Sequence, residues 1–195
     1  MVLTFKIITI KINIMKTTSL FSAIFMALML LVSTDAMAQK FPSMDKSPMD
    51  AASFPNNWKE SNKLIKITYS RPQLKGRELS KLAPSGKVWR TGANEAAELT
   101  LYTDMNLGGT KVPAGTYTFY LIPGDNEWTA ISSTDLNVWG SYFYNEKNDV
   151  ARLNIPVTES SESLEAFSIV FEEADNGVHM HCGWGTARMA VPFTK

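Results

Sequence analysis

The chain has 195 residues, 45% of them hydrophobic, and its 19 basic and 19 acidic side chains cancel to a formal net charge of zero. That balance excludes the strongly basic surface used to bind nucleic acid or an anionic membrane. A single cysteine, Cys182, excludes an intramolecular disulfide, so stability has to come from packing.

From Met15 the chain reads Met-Lys, then an apolar block over residues 20–32, then Ala36-Met37-Ala38 before Gln39. A basic start, an apolar middle and small residues at the end form the pattern of a cleaved secretory signal peptide, and the block is too short for a membrane span. Met15 is read as the start of translation, residues 1–38 as leader, and Ala38 as the cleavage point. The leader takes three lysines and one aspartate with it and leaves the remainder slightly acidic. No cysteine stands at the cleavage point, so no lipid anchor is expected, and the destination is the periplasm or the medium.

Residues 39–62 are rich in Pro, Ser, Asp and Met without a period and read as a flexible arm. From residue 63 short runs of β-formers alternate with turn signals. Strands are expected over 64–69, 87–91, 97–103, 110–112, 116–122, 128–132, 150–157, 167–172, 178–184 and 187–192, with single helical turns at 77–82 and 135–138. Strands of this length and spacing predict an all-β, single-domain sandwich of jelly-roll type over residues 63–195. Alternation assigns Ile65, Ile67, Tyr69, Leu99, Leu101, Phe167, Ile169, Phe171, Met180, Cys182 and Trp184 to the core face. Pro113-Ala114-Gly115 and Pro123-Gly124-Asp125-Asn126 bound the strand between them as turns.

Several short motifs occur in order: Ser70-Arg71-Pro72 with Lys75-Gly76-Arg77, the run from Gly86 to Glu95, and Pro113-Ala114-Gly115-Thr116-Tyr117. Trp139-Gly140 with Tyr142 and Tyr144 follows, then Asp149-Val150 with Arg152. Together they resemble the domain of unknown function 2911, a group of exported proteins without an assigned activity, over residues 63–195. The resemblance implies a β-rich exported domain and no catalytic residue. One departure is the polar run His179-Met180-His181-Cys182-Gly183, where a plain apolar strand is expected.

The run Gly-Lys-Val-Trp-Arg-Thr-Gly-Ala-Asn-Glu-Ala from Gly86 to Ala96 sets Arg90, Asn94 and Glu95 beside Trp89. If the strand holding Leu99 and Leu101 starts early, Glu95 shares their inward parity while Glu98 faces outward. An inward carboxylate needs a partner, which Arg90 or Arg71 would supply as a bidentate fork. The structural version of this expectation is a buried ion-pair lock in an envelope scaffold. The functional version is a binding module for a small polar or carbohydrate ligand, with Arg71, Arg90, Asn94, Glu95 and Tyr142 around Trp89 or Trp139 as an apolar wall. A carboxylate-dependent hydrolase would use Glu95 and Glu98, but opposite strand faces oppose that geometry.

The aromatic run Trp139, Tyr142, Phe143 and Tyr144, with Trp128, reads either as a stacking platform for sugar rings or as a cap on the core. Asp149 and Arg152 read as a local ion pair. His179 and His181 share one strand face and make a weak metal candidate, since two imidazoles do not complete a site and Cys182 points away. No Gly-x-Ser-x-Gly elbow, phosphate loop or His-Glu-x-x-His occurs, and no cofactor is expected.

Overall fold

The computed structural model describes residues 21–22, 25–26 and 39–195. The chain divides into two units, Met1–Ser43 and Met44–Lys195. In the first, Phe21, Ser22, Phe25 and Met26 are helical and exposed. No helix among the described residues is long and apolar enough to cross a membrane. The expected cleavage after Ala38 and most of the leader lie outside the described residues.

The second unit is all-β and antiparallel. Its strands are β1 (Met49–Phe54), β2 (Ile65–Ser70), β3 (Ala97–Leu101), β4 (Met105–Leu107), β5 (Thr110–Val112), β6 (Gly115–Ile122), β7 (Glu127–Ser133), β8 (Asp149–Ala174) and β9 (Gly177–Thr194). One helical turn, α1 (Leu79–Leu82), stands inside the expected 77–82. They form one sheet in the order β1-β2-β3-β6-β7-β8-β9-β4-β5.

Residues 49–54, expected inside a flexible arm, form β1 and pair along their whole length with β2. Two half-buried side chains, Ala52 and Phe54, pack against the core. Apolar side chains on one face outweigh the Pro and Ser around them. The stretch 87–91, expected as a strand, makes only an isolated bridge, Trp89 to Leu121. The expected turn of helix at 135–138 is irregular, with Asn137 left-handed at φ 56°.

The two last strands are far longer than the four runs read from sequence. Residues 149–156 of β8 pair with β7, and residues 157–174 continue without interruption to pair with β9. The register shifts between Glu159 and Leu164 and again between Leu164 and Ser168, so the polar run at 160–163 bulges. Arg188 stitches this break: its Nη1 donates to Gly185 O and Ala187 O, and its Nη2 to Glu162 O. Carbonyls released from the ladder by the bulge thereby recover donors.

The sheet closes on itself. Fully extended, the 18 residues of β9 would span about 60 Å, yet Lys195 N donates to Asn176 O at 2.9 Å across its two ends. On the other side the continuation of β2 meets β8: Phe167 N donates to Pro72 O and Leu74 N to Glu165 O, each at 2.9 Å. Tyr69 adds a side-chain tie, its Oη accepting from Ile169 N at 2.8 Å. All eleven side chains assigned inward from alternation are buried in one continuous core drawn from β2 to β9. Its centre is aromatic: Trp89 stacks on Trp184 at 5.4 Å and meets Phe167 and Trp128 edge-on at 4.9 and 6.2 Å.

Candidate functional site

Trp89, at 5% exposure, is the centre of that core, so it offers no open wall of the kind expected for it. Beyond it the chain leaves the sheet through Thr91, Gly92, Ala93 and Asn94, then re-enters as β3. Thr91 and Asn94 are left-handed, at φ 54° and 60°. This excursion breaks the strand parity expected for Glu95. Glu95 is exposed and makes no ion pair among the described residues, so the expected buried lock with Arg90 or Arg71 does not form. Glu98, facing away from Leu99, is exposed as its parity requires.

Arg71 is held elsewhere. Its Nε donates to Phe167 O at 3.1 Å, its Nη2 to Ser168 Oγ at 2.7 Å, and its Nη1 pairs with Asp50 Oδ2 at 3.1 Å. It clamps β1 and β2 onto β8 and is separate from the other five expected ligand-binding residues.

The segments that carry those five run side by side. Residues 138–141 lie along 88–96: Glu95 bridges Trp139, Ala96 N donates to Val138 O at 3.0 Å, Gly140 N to Asn94 O at 2.9 Å, and Ser141 Oγ to Val88 O at 2.8 Å. Arg90 O accepts from Ala97 N, which ties its residue into the same junction. Gly140 is left-handed at φ 68°, a conformation that favours glycine, and the Tyr142 ring lies over it, with Cε2 2.7 Å from where a Cβ would stand. Trp139, Tyr142 and Phe143 stand out from this junction at 56, 77 and 83% exposure. Arg90 Nε is buried and has no hydrogen-bond partner among the described residues.

Residues 134–148 also cover a second, smaller cluster on the sheet face opposite the core. Tyr120 and Ile131 pair across β6 and β7 and are buried there, with the Tyr144 ring edge-on to Tyr120 at 5.3 Å. Tyr144 Oη donates to Asp149 Oδ2 at 2.6 Å, and Asn148 Nδ2 to Asp135 Oδ1 at 2.5 Å. Arg152 pairs with both Glu146 and Asp149. Burial pushes the Asp149 carboxyl above its usual range, against the Tyr144 hydrogen bond and Arg152, which pull it down. Burial, with the Asp135 and Asp149 charges, pushes the Tyr120 phenol up to about 12, so it stays protonated. The Asp149–Arg152 pair expected from sequence is present. Sequence reading missed Tyr120 and Asp135, because nothing local shows that a loop returns to bury the outer face of β6.

His179 and His181 share a face, with ring centres 6.0 Å apart, as alternation requires. His181 Nε2 lies 3.0 Å from Glu172 Oε2. Among the described residues no group of three or more His, Cys, Asp or Glu side chains is placed to hold a metal ion. Cys182 points into the core, where burial pushes its thiol up to about 12 and leaves it unreactive. A groove of about 490 Å³ runs past His181 between β8 and β9, away from the aromatic rim.

A protein-family model described as a protein of unknown function, DUF2911, matches residues 47–193. No curated protein and no solved structure matches the chain. The matched span begins before β1 and ends one residue short of the end of β9, so it covers nearly all of the folded unit. The chain belongs to the DUF2911 family.

Proposed function

We propose that this chain is an exported binding module, and that residues 88–96 and 138–143 present a platform for a small polar ligand of the carbohydrate class. The supporting observation is exposed aromatic surface held on strained, pinned backbone. Among the described residues four non-glycine residues are left-handed; two of them, Thr91 and Asn94, lie in the first of these segments, and a third, Asn137, immediately precedes the second. Each costs about 1–2 kcal/mol relative to ordinary backbone, most for a β-branched residue such as Thr91. Strain of this kind gathers where geometry serves a ligand.

The chemistry suits a sugar. Trp139, Tyr142 and Phe143 offer apolar faces for the C–H face of a pyranose ring. Beside them Glu95 offers an acceptor, and Asn94 both a donor and an acceptor. Hydroxyl groups need both kinds. A site already fixed by its own hydrogen bonds loses little entropy on binding.

In this reading the two ladders of the curled sheet face one another as the layers of a jelly-roll-like sandwich, with the common core between them. The leader pattern at residues 15–38 supports a periplasmic or secreted location, where soluble saccharides are available. Glu95 and Glu98 are both open to water, and that disfavours the hydrolase alternative, which needs at least one carboxyl held protonated by burial.

Calorimetric titration with soluble oligosaccharides, on wild type and on Trp139→Ala and Tyr142→Ala, tests the reading. Binding should weaken at least tenfold in each variant, about 1.4 kcal/mol. Their melting temperatures should stay at the wild-type value, because both rings are exposed. Saccharide binding that survives the combined substitution would refute the platform.

A further inference from the structure

A second groove, of about 620 Å³, opens at one end of the sheet, between α1, the β6–β7 turn and the point where β8 leaves β7. Its volume lies within the range of about 300–1,000 Å³ typical of small-molecule pockets. The walls are preformed: Gly86 N donates to Pro123 O at 2.8 Å and Val157 N to Asn126 O at 2.9 Å, so both rims of the turn are tied down. Trp128 contributes an apolar contact to the lining and is braced from behind by Trp89, edge-on at 6.2 Å. Ser80, Ser85 and Asn126 place hydroxyl and amide groups around it.

The charge of this groove has one sign. Asp125 and Glu159 line it, no lysine, arginine or histidine does, and neither carboxylate has an ion-pair partner among the described residues. Two carboxylates in one concavity raise the local concentration of small cations and repel anions. The exposed hydroxyl and amide groups of Ser80, Ser85 and Asn126 suit a hydroxylated ligand.

We infer that this groove is a binding site for a small hydroxylated cation, with amino sugars as the ligand class, separate from the aromatic platform. The ammonium group pairs with Asp125 and Glu159, and the ring hydroxyls meet Ser80, Ser85 and Asn126. No bond is made or broken.

Calorimetry on the full chain with glucosamine, glucose, N-acetylglucosamine and ethanolamine tests this. Glucosamine should bind in the millimolar range or tighter, and less well as salt is raised. Glucose and N-acetylglucosamine, which lack the cation, and ethanolamine, which lacks the ring, should each bind at least tenfold more weakly. Asp125→Asn combined with Glu159→Gln should weaken glucosamine at least tenfold, and both sites are exposed enough for the fold to tolerate the change. Trp139→Ala should leave it unchanged. No glucosamine binding, equal binding of glucose, or indifference to the double substitution would overturn the inference. Loss of glucosamine binding in Trp139→Ala would also overturn it, by moving that ligand to the platform. Failure of the platform reading leaves the groove's result untouched, because the two sites share no residue.

Discussion

Asp149 carries a carboxylate into a place with little water: its side chain is 5% exposed and its Oδ1 has no hydrogen-bond partner among the described residues. Burial raises its pKa above the ordinary 3.8 despite Tyr144 and Arg152. The folded state therefore holds this proton more tightly than the unfolded state, and over the interval between the two pKa values stability falls as pH rises. Asp149→Asn removes that titration while keeping an acceptor for Tyr144. The stability of wild type relative to Asp149→Asn should improve as pH is lowered from the folded pKa through 3.8, and stay flat above that interval. Denaturant midpoints measured across this range for both proteins check it, and a relative stability that worsens on acidification would show a carboxyl depressed by Arg152 instead. At the same scale Glu95 shows where alternation stops being informative. Period-2 reasoning holds only while every residue is extended, and left-handed Asn94 turns the next side chain outward. Asparagine tolerates the left-handed region better than most residues, but its identity alone does not say that it turns there, so Glu95 reads as buried and lies exposed. Downstream of that turn the alternation through Leu99 and Leu101 is obeyed.

Strand length is the element property that sequence concealed. The runs 150–157 and 167–172 were separable because Ser160-Ser161-Glu162-Ser163 resembles a loop, yet the chain carries the strand through it as a bulge. Bulges and edge strands depend on partners distant in sequence, and β1 is recognisable only once β2 is there to pair with it. The convergence of Asn94, Glu95, Trp139 and Tyr142 was legible as a list of unusual residues, whereas the exclusion of Arg71 was not, because its partner Phe167 lies 96 residues away. The β8–β9 turn shows how tightly the curl is specified. A Cβ on Gly177 would lie 2.0 Å from Phe193 O and 2.8 Å from Thr194 Cα, both main-chain atoms of the far end of β9. No side-chain rotation relieves such an overlap. Gly177→Ala should therefore cost about 3 kcal/mol or more, at the upper end of overpacking penalties. A chemical denaturation midpoint within error of wild type would mean that the ends of β9 separate freely.

Closure of the sheet makes the β unit, Met44–Lys195, fold as one cooperative body. The core gathers side chains from β2 through β9 without a break, and three tryptophans, Trp89, Trp128 and Trp184, sit at its centre while Trp58 and Trp139 stand exposed. Loss of the core and loss of the ladders are then one event, as expected for a single domain of this size. Tyr69 joins the two sides of the closure, since its ring packs edge-on against Phe167 at 5.5 Å and its Oη accepts the buried Ile169 N–H. Tyr69→Phe keeps the ring and removes only the acceptor, leaving a buried donor unsatisfied at a cost of about 1–3 kcal/mol. Tryptophan emission reports the centre of the core, and far-ultraviolet circular dichroism reports the strands. In wild type the two should give coincident denaturant midpoints, and in Tyr69→Phe both should fall together with the slope of the transition unchanged. A fall in the emission midpoint alone would mean that the β2–β8 seam opens before the rest of the sheet, and that the closure is a latch on an independently stable core.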